Sequence, residues 1–180
     1  TDLESLAKDP DAMRTAERLY ASYCSTCHGS DARGATGFPN LRDGDWLWGG
    51  EPAIIKQTIA NGRFAVMPAW GVPLGGDEGV ADVAEYVISL SGREVDAARL
   101  ESGRQKFAMF CGGCHGPTGT GNPIMGAPNL TDATWLYGGS RGVIRKSIAS
   151  GRSGRMPAHG EFLGDDKVHL LAAYVLSLAK

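Results

Sequence analysis

The stretch Cys24-Ser25-Thr26-Cys27-His28 decides how this chain folds. It reads C-x-x-C-H, the pattern at which haem is joined covalently to a polypeptide. The two thiols add across the two vinyl groups of the macrocycle, and the histidine that follows is set beneath the iron as proximal ligand. A bare C-x-x-C also suits half a zinc site, a redox dithiol or a disulfide, and the adjacent histidine shifts the balance. The stretch recurs as Cys111-Gly112-Gly113-Cys114-His115, and the two copies use all four cysteines. With no cysteine left over, the chain is expected to carry two covalently bound haem c groups. One is held by Cys24, Cys27 and His28, the other by Cys111, Cys114 and His115.

Working outward from the two motifs, the halves superpose as a repeat. Cys24 and Cys111 are offset by 87. Pro39-Asn40-Leu41 matches Pro128-Asn129-Leu130, Trp46-Leu47-Trp48-Gly49-Gly50 matches Trp135-Leu136-Tyr137-Gly138-Gly139, and Met67-Pro68-Ala69 matches Met156-Pro157-Ala158, each offset by 89. Tyr86-Val87-Ile88-Ser89-Leu90 matches Tyr174-Val175-Leu176-Ser177-Leu178, offset by 88. Two domains are therefore expected, residues 1–91 and 92–180, joined near Ser91 to Val95.

Each half reads as helical. Asp9-Pro10 is a helix start, with Asp as N-cap and Pro at the first helical position. Met13, Ala16, Tyr20, Tyr23 and Cys24 then share one face, repeated by Leu100, Gly103, Phe107, Phe110 and Cys111. Ala16 and Gly103 are small where another helix crosses closely. Residues Glu51 to Ala60 and Arg141 to Ala149 read as shorter helices, each followed by Gly-Arg. The closing helices carry Val80, Val83, Ala84, Val87 and Ile88, and Val168, Leu171, Ala172, Val175 and Leu176, at i, i+3, i+4, i+7, i+8. Asp77 and Asp165 are the expected N-caps, and Gly92 a stop. No stretch alternates as a strand would, so the expected class is all-α.

Four further positions bear on the haem sites. The carbonyls of Pro39 and Pro128 are candidates to orient the proximal histidines through their other ring nitrogen, and a plain turn explains them equally. Arg63 and Arg152 suit bidentate contact with haem propionates, and solvated surface arginines fit as well. Met67 and Met156 lie 39 and 41 residues after their histidines in the same repeat context. A lone Met is usually core filler, but an axial Met fills the sixth position and raises the potential of a haem iron. The ligand role is preferred for both, so the expected metal ligands are His28, Met67, His115 and Met156. Met13, Met109 and Met125 have no equivalent in the other half and read as packing residues. His159 is the rival ligand for the second haem, and His169 reads as a surface residue.

Composition is that of a globular protein. The apolar fraction is 42% and the charged fraction 21%, ordinary for a folded protein. The 26 glycines cluster after the two motifs, where a chain must approach a flat macrocycle closely. No run of about 18 apolar residues is present to cross a bilayer. The chain begins at Thr1, so a removed leader or anchor remains open.

Together these parts resemble class I cytochrome c domains in tandem, each wrapped around one covalent haem. That resemblance implies the axial pairs His28 with Met67 and His115 with Met156. The strings YCSTCHGSDARGATGFPNL, DWLWGGEP, PNLTDATWLYGGS and RMPAHG resemble, more narrowly, the di-haem subunit (CcoP) of cbb3-type cytochrome c oxidases. The family implies a periplasmic module at the outer face of the inner membrane. It takes electrons from a soluble donor cytochrome c and passes them to the oxidase core subunits. Members normally carry an N-terminal membrane anchor, so contact with the membrane is expected only through a missing anchor or partner subunits. A free di-haem carrier resembling the cytochrome c4 group is the alternative, and a di-haem peroxidase a more distant one.

Residues 1–91 hold 7 Lys and Arg against 13 Asp and Glu, whereas residues 92–180 hold 11 against 7. An acidic first half is expected to receive a basic donor, because opposed charge steers encounter. The alternative is that the halves neutralise one another. The basic residues are too few, and the aromatic ones too core-like, for nucleic-acid binding. No proton-transfer pair, nucleophile or open metal site is evident, so the chain reads as an electron-transfer subunit with no catalytic residue of its own.

Overall fold

A computed structural model describes residues 1–179; Lys180, the expected end of the second half, lies outside the described residues. In chain order the elements are α1 (Leu3–Leu6), α2 (Pro10–Tyr23), α3 (Ser25–His28), α4 (Pro52–Asn61), β1 (Arg63–Met67) and α5 (Asp77–Leu90). A 3₁₀ turn at Ala97–Arg99 leads into α6 (Leu100–Phe110), α7 (Gly112–His115), α8 (Arg141–Ser150), β2 (Arg152–Met156), α9 (Gly160–Leu163) and α10 (Asp165–Leu178). Among the described residues, no helix is long and apolar enough to cross a membrane.

The starts and stops follow local chemistry. The Asp9 carboxylate accepts from the amides of Asp11 (2.9 Å) and Ala12 (3.2 Å), with Pro10 at the first helical position. Asp77 and Asp165 differ from expectation. The N-caps of α5 and α10 are Gly76 and Gly164, and each Asp is the first helical residue. There it lies against the positive end of the helix dipole rather than capping an amide. Gly62 (φ 68°) and Gly151 (φ 73°) end α4 and α8 in the left-handed region, where a side chain would be strained.

The class is helix-rich but not purely helical. β1 and β2 are hydrogen-bonded neighbours in a two-stranded sheet. Hydrophobicity hid them, because the outward positions of β1 are apolar: Phe64 is 64% exposed and Val66 56%. Burial alternates along both strands, but apolar character does not follow it, so the period-2 signal is lost.

The compact units do not coincide with the sequence halves. One unit comprises Thr1–Phe64 with Arg155–Lys180, the other Ala65–Gly154. The division runs inside both strands, and so does not follow the expected boundary at 91/92. In the first unit α10 packs against α1, α2 and α4. Its core holds Tyr20, Ile55, Ile59, Leu163, Val168 and Leu171. In the second unit α5 packs against α6 and α8, with Leu74, Val83, Ile88, Phe107, Ile144 and Ile148 buried together. Each fully buried aliphatic side chain contributes roughly 1.5–3 kcal/mol. Each unit thus contains one opening helix, one C-x-x-C-H helix and one closing helix, but the closing helix comes from the other repeat.

This redistribution removes the charge asymmetry of the halves. The first unit holds 10 Lys and Arg against 12 Asp and Glu, and the second 8 against 8. The first unit is less acidic than residues 1–91 because Asp77, Glu78, Asp82 and Glu85 belong to the second, while the segment 155–180 that it gains carries as many acidic as basic residues.

Candidate functional site

Each C-x-x-C-H forms a single helical turn continuing the opening helix. Cys24 is both the C-cap of α2 and the N-cap of α3, and Cys111 does the same between α6 and α7. That turn sets the cysteines three apart and the histidine four after the first, all near one side. All four cysteines are unpaired; Cys27 and Cys114 are exposed, Cys24 is half-buried and Cys111 buried. Burial pushes the Cys24 and Cys111 thiols up to about 11, with a smaller push from the second cysteine of each pair.

The histidines are fixed from behind. Nδ1–H of His28 donates to the Pro39 carbonyl (2.9 Å), and that of His115 to the Pro128 carbonyl (3.1 Å). Burial lowers the pKa of both imidazoles, against the hydrogen bond to proline, which raises it. A neutral ring that donates from Nδ1 presents the Nε2 lone pair to a metal. Two thiols for covalent attachment beside an Nε2 donor of fixed tautomer fit a haem c.

Glycines bring those carbonyls in, which the sequence reading missed. A Cβ at Gly34 (φ 73°) would collide with the Phe38 carbonyl and lie 2.7 Å from the Pro39 carbonyl carbon. At Gly121 (φ 84°) it would lie 2.8 Å from the Ala127 oxygen and 2.9 Å from the Pro128 carbonyl carbon. The amides of Gly34 and Gly121 also donate to the carbonyls of His28 and His115, both at 2.8 Å. Their equal offset of 87, the same as that of the cysteines, was the available signal. The two residues inserted after His115 fall in the loop between the bridged pair Asn122 and Ala127, which corresponds to the tighter Ala35–Phe38 bridge.

Arg63 and Arg152 are held alike. Nε of Arg63 donates to Thr58 (2.9 Å) and its guanidinium lies 4.9 Å over Trp48; Nε of Arg152 donates to Ser147 (2.9 Å), 4.3 Å over Tyr137. The preceding tryptophans turn inward: Trp46 and Trp135 pack on the two cores. Gly50 and Gly139 lie flat against them, where a Cβ would sit 2.5 and 2.6 Å from the indole.

The methionines end the two strands, and the structure groups them otherwise than the resemblance implies. Met156 packs with Cys24 against the first core, and Met67 packs with Cys111 on the second. Met67 thus lies in the unit of His115, and Met156 in that of His28. His159, expected as a rival at the second site, lies in the first unit. It is near enough to His28 to lower its pKa, and its Nδ1 donates to the Pro157 carbonyl (2.8 Å). Met13 packs on the first core, whereas Met109 (74% exposed) and Met125 (50%) face outward rather than packing.

Comparison with known proteins gives a consistent picture. The family model for cytochrome c oxidase, cbb3-type, subunit III matches twice, over residues 11–87 and 98–175. The chain is 47% identical over 177 residues to the cbb3-type cytochrome c oxidase subunit CcoP of Rubrivivax gelatinosus, covering 98% of this chain and 58% of that protein. It is 39% identical over 192 residues to the CcoP of Cereibacter sphaeroides (99% and 66%), and 41% over 189 residues to the subunit FixP of Azorhizobium caulinodans (98% and 64%). The chain therefore spans about three-fifths to two-thirds of the length of these relatives. Cytochrome c domains of this kind imply haem c binding. The paired C-x-x-C-H turns and the twofold match agree that the chain belongs to the family of cbb3-type cytochrome c oxidase subunit III.

Proposed function

We propose that this chain is the two-haem electron-transfer part of a cbb3-type oxidase subunit. It takes electrons from a soluble donor cytochrome c and passes them towards the oxidase core at the periplasmic face of the membrane. The observation that carries the reading is the duplicated arrangement of an unpaired C-x-x-C turn followed by a histidine whose Nδ1–H is donated to a proline carbonyl. Relatives named as subunits of this oxidase support the partner core.

A haem iron bound at each site supplies a one-electron couple. The chain's own residues do the rest. Cys24 with Cys27, and Cys111 with Cys114, would anchor the macrocycle covalently through their thiols. His28 and His115 ligate from Nε2, and their proline-bound Nδ1–H makes them stronger donors. Met67 and Met156 would offer thioether sulfur to a bound iron, a ligand that favours the reduced state. Arg63 and Arg152, stacked and hydrogen-bonded into one orientation, meet the propionates.

The test is a native gel of source-cell membranes stained for covalent haem and probed for this chain, with the haem-to-polypeptide ratio measured on purified protein. Two haem c per chain in a band that reduces oxygen is the expected result. A signal confined to the soluble fraction would overturn the oxidase assignment and turn attention to a free carrier. One haem per chain would overturn the two-site reading.

A further inference from the structure

We infer that the face around the second C-x-x-C-H turn is held permanently against an uncharged, apolar surface of the oxidase core, whereas the matching face of the first unit is left to meet the passing donor. The inference rests on the proposed place of this chain in a cbb3-type oxidase and specifies which surface meets which partner.

Duplication supplies an internal comparison, because both faces are built on the same turn and the same loop. Between His28 and Pro52 the first repeat carries Asp31, Arg33, Arg42, Asp43, Asp45 and Glu51; over the matching stretch, between His115 and Arg141, the second carries Asp132 alone. Asp31, Arg33, Arg42 and Asp45 are answered by Thr118, Thr120, Thr131 and Thr134. The helix before the turn changes in the same sense, with exposed Met109 in place of Ser22. The two residues added after His115 lie in a loop whose tip carries Ile124, 90% exposed, and Met125. Hydrogen bonds shape that tip. The Asn122 side chain accepts from the Ile124 amide at 3.0 Å, and the Asn122 carbonyl from the Met125 amide at 3.1 Å. The loop after β1 adds Val72, 92% exposed, where the first unit has Glu161. Trp70, two residues before Val72, lies 5.6 Å from Phe110, which sets this loop against the end of α6 that carries Met109.

Exposed apolar side chains gathered in this way mark a surface that another molecule covers, and charge decides which molecule. A partner that docked by charge would find no counter-ion on residues 116–131 and would bury its own charges unpaired. The occupant is therefore a surface without charge. Permanent interfaces are of that kind, resembling a core cut in two, whereas brief redox encounters are small, keep charge at the rim and are steered by it. The first unit has the second character. Its aromatic pair Tyr23 and Phe162, 5.7 Å apart, adjoins Glu161 in sequence, and Asp31 and Arg33 are exposed on the loop after His28. Both faces include an exposed cysteine, Cys27 in the first and Cys114 in the second, so either brings a partner close to the site of electron transfer. Electrons are thus received through a charged face and delivered through an uncharged one.

The test is hydroxyl-radical footprinting of the haem-loaded full chain, first purified by itself and then within the assembled oxidase. Met109 and Met125, whose thioethers oxidise readily when exposed, are expected to be oxidised several-fold more slowly in the complex. Tyr23 and Phe162 are expected to gain protection only when the donor cytochrome is added. Ile124→Asp, on an exposed loop tip, is expected to leave the haem content of the chain unchanged and to abolish the protection of Met109 and Met125, while Ile124→Val keeps it. High salt is expected to leave that protection in place and to slow reduction by the donor. Equal oxidation of Met109 and Met125 in the complex and in the separate chain would overturn the inference, as would protection that persists in Ile124→Asp. Protection that appears only with the donor would assign this face to the donor, overturning the inference while leaving the electron-transfer reading intact. Protection in the separate chain that disappears on dilution would assign the face to a second copy and overturn the inference as well. A chain that purifies with no oxidase would overturn the proposed function itself.

Discussion

The two units use the same helix crossing but hold it by opposite means. In the first, α2 meets α10 through apolar and small residues, with Ala16 wholly buried beneath the crossing and Ala173 buried on α10. In the second, α5 meets α6 with Gly103 where the first unit has Ala16, and charge surrounds the contact. Asp82 is bound by Arg99, Lys106 and Ser102, each at 2.8 Å. Glu85, whose side chain is 3% exposed, occupies the position of Ala173. It accepts from Arg141 at 2.8 and 3.1 Å and from the Asp96 amide at 3.0 Å. One duplicated crossing has thus diverged into a dry contact and a polar one. The crossing is set by helix approach, and the chemistry that seals it is free to change.

The largest expected effect is at Gly103. A Cβ there would collide with the Asp82 carbonyl and lie 2.8 Å from the Tyr86 Cβ. Both are backbone or near-backbone atoms, so the helices must separate. Gly103→Ala is expected to destabilise the second unit by about 3 kcal/mol, the upper end for overpacking. The reverse change, Ala16→Gly, removes one methyl and raises chain entropy, costing about 1 kcal/mol in the first unit. Amide hydrogen exchange, read separately on α5–α6 and α2–α10, distinguishes the two. Equal effects would mean that the crossings are equally close.

Next comes Glu85. Glu85→Gln leaves Arg141 without its carboxylate, and a cost of about 2 kcal/mol is expected for a buried, charge-assisted pair. Ala173→Ser, at the matching position of the first unit, is the comparison. There the replaced side chain is a buried methyl, so the cost is that of a buried hydroxyl that must find a partner. Acid sharpens the same contrast. Arg141 holds the Glu85 carboxyl below the usual carboxylate range, against burial. Burial raises Asp82, but hydrogen bonds from Lys106, Ser102 and Arg99 outweigh it and leave it lowered. A folded unit whose carboxylates are lowered binds fewer protons than its unfolded chain. Its stabilisation is therefore complete above the ordinary carboxylate pKa of about 4 and is lost as pH falls through the folded values. Exchange protection of α5–α6 is expected to fall on acidification before that of α2–α10. The opposite order would remove the ionic explanation of the second crossing.

Much of this fold was legible in the sequence because its signals are local. The helix stripes ending in Val87 and Ile88, or in Leu171 and Ala172, follow from burial on one face. The Asp9-Pro10 start follows from capping, and the attachment turns from a motif. The grouping of each closing helix with the other repeat's opening helix was not legible, for a physical reason. Gly62 can cradle Met67-Pro68-Ala69 or Met156-Pro157-Ala158 equally well, because duplication made those segments identical. Pattern therefore does not distinguish pairing within a repeat from pairing across repeats. The strands escaped notice because Phe64 and Val66 face outward. The charge contrast between halves misled because it was counted along the chain, whereas the units divide the chain elsewhere.

The smallest prediction tests whether the polar content of the first unit has moved rather than vanished. Tyr20 occupies the position of Phe107, and its hydroxyl donates to the Gly29 carbonyl at 2.8 Å. Gly29 directly follows His28, so this bond fastens the attachment turn to the helix before it. Phe107 lacks the hydroxyl: the Gly29 carbonyl accepts from the Ala32 amide (3.1 Å) as well as from Tyr20, whereas the carbonyl of Gly116 accepts from the matching Gly119 amide (3.1 Å). Tyr20→Phe is therefore expected to cost about 1 kcal/mol, the net worth of one neutral hydrogen bond. Exchange at the amides of residues 27 to 29 should rise while α10 is unaffected. Phe107→Tyr offers the Gly116 carbonyl the second donor that Gly29 has, and is expected to return a comparable amount where the core admits the hydroxyl. If Tyr20→Phe loosened α10 as well, the hydroxyl would be supporting the crossing itself. The first unit would then be less dry than its buried alanines indicate.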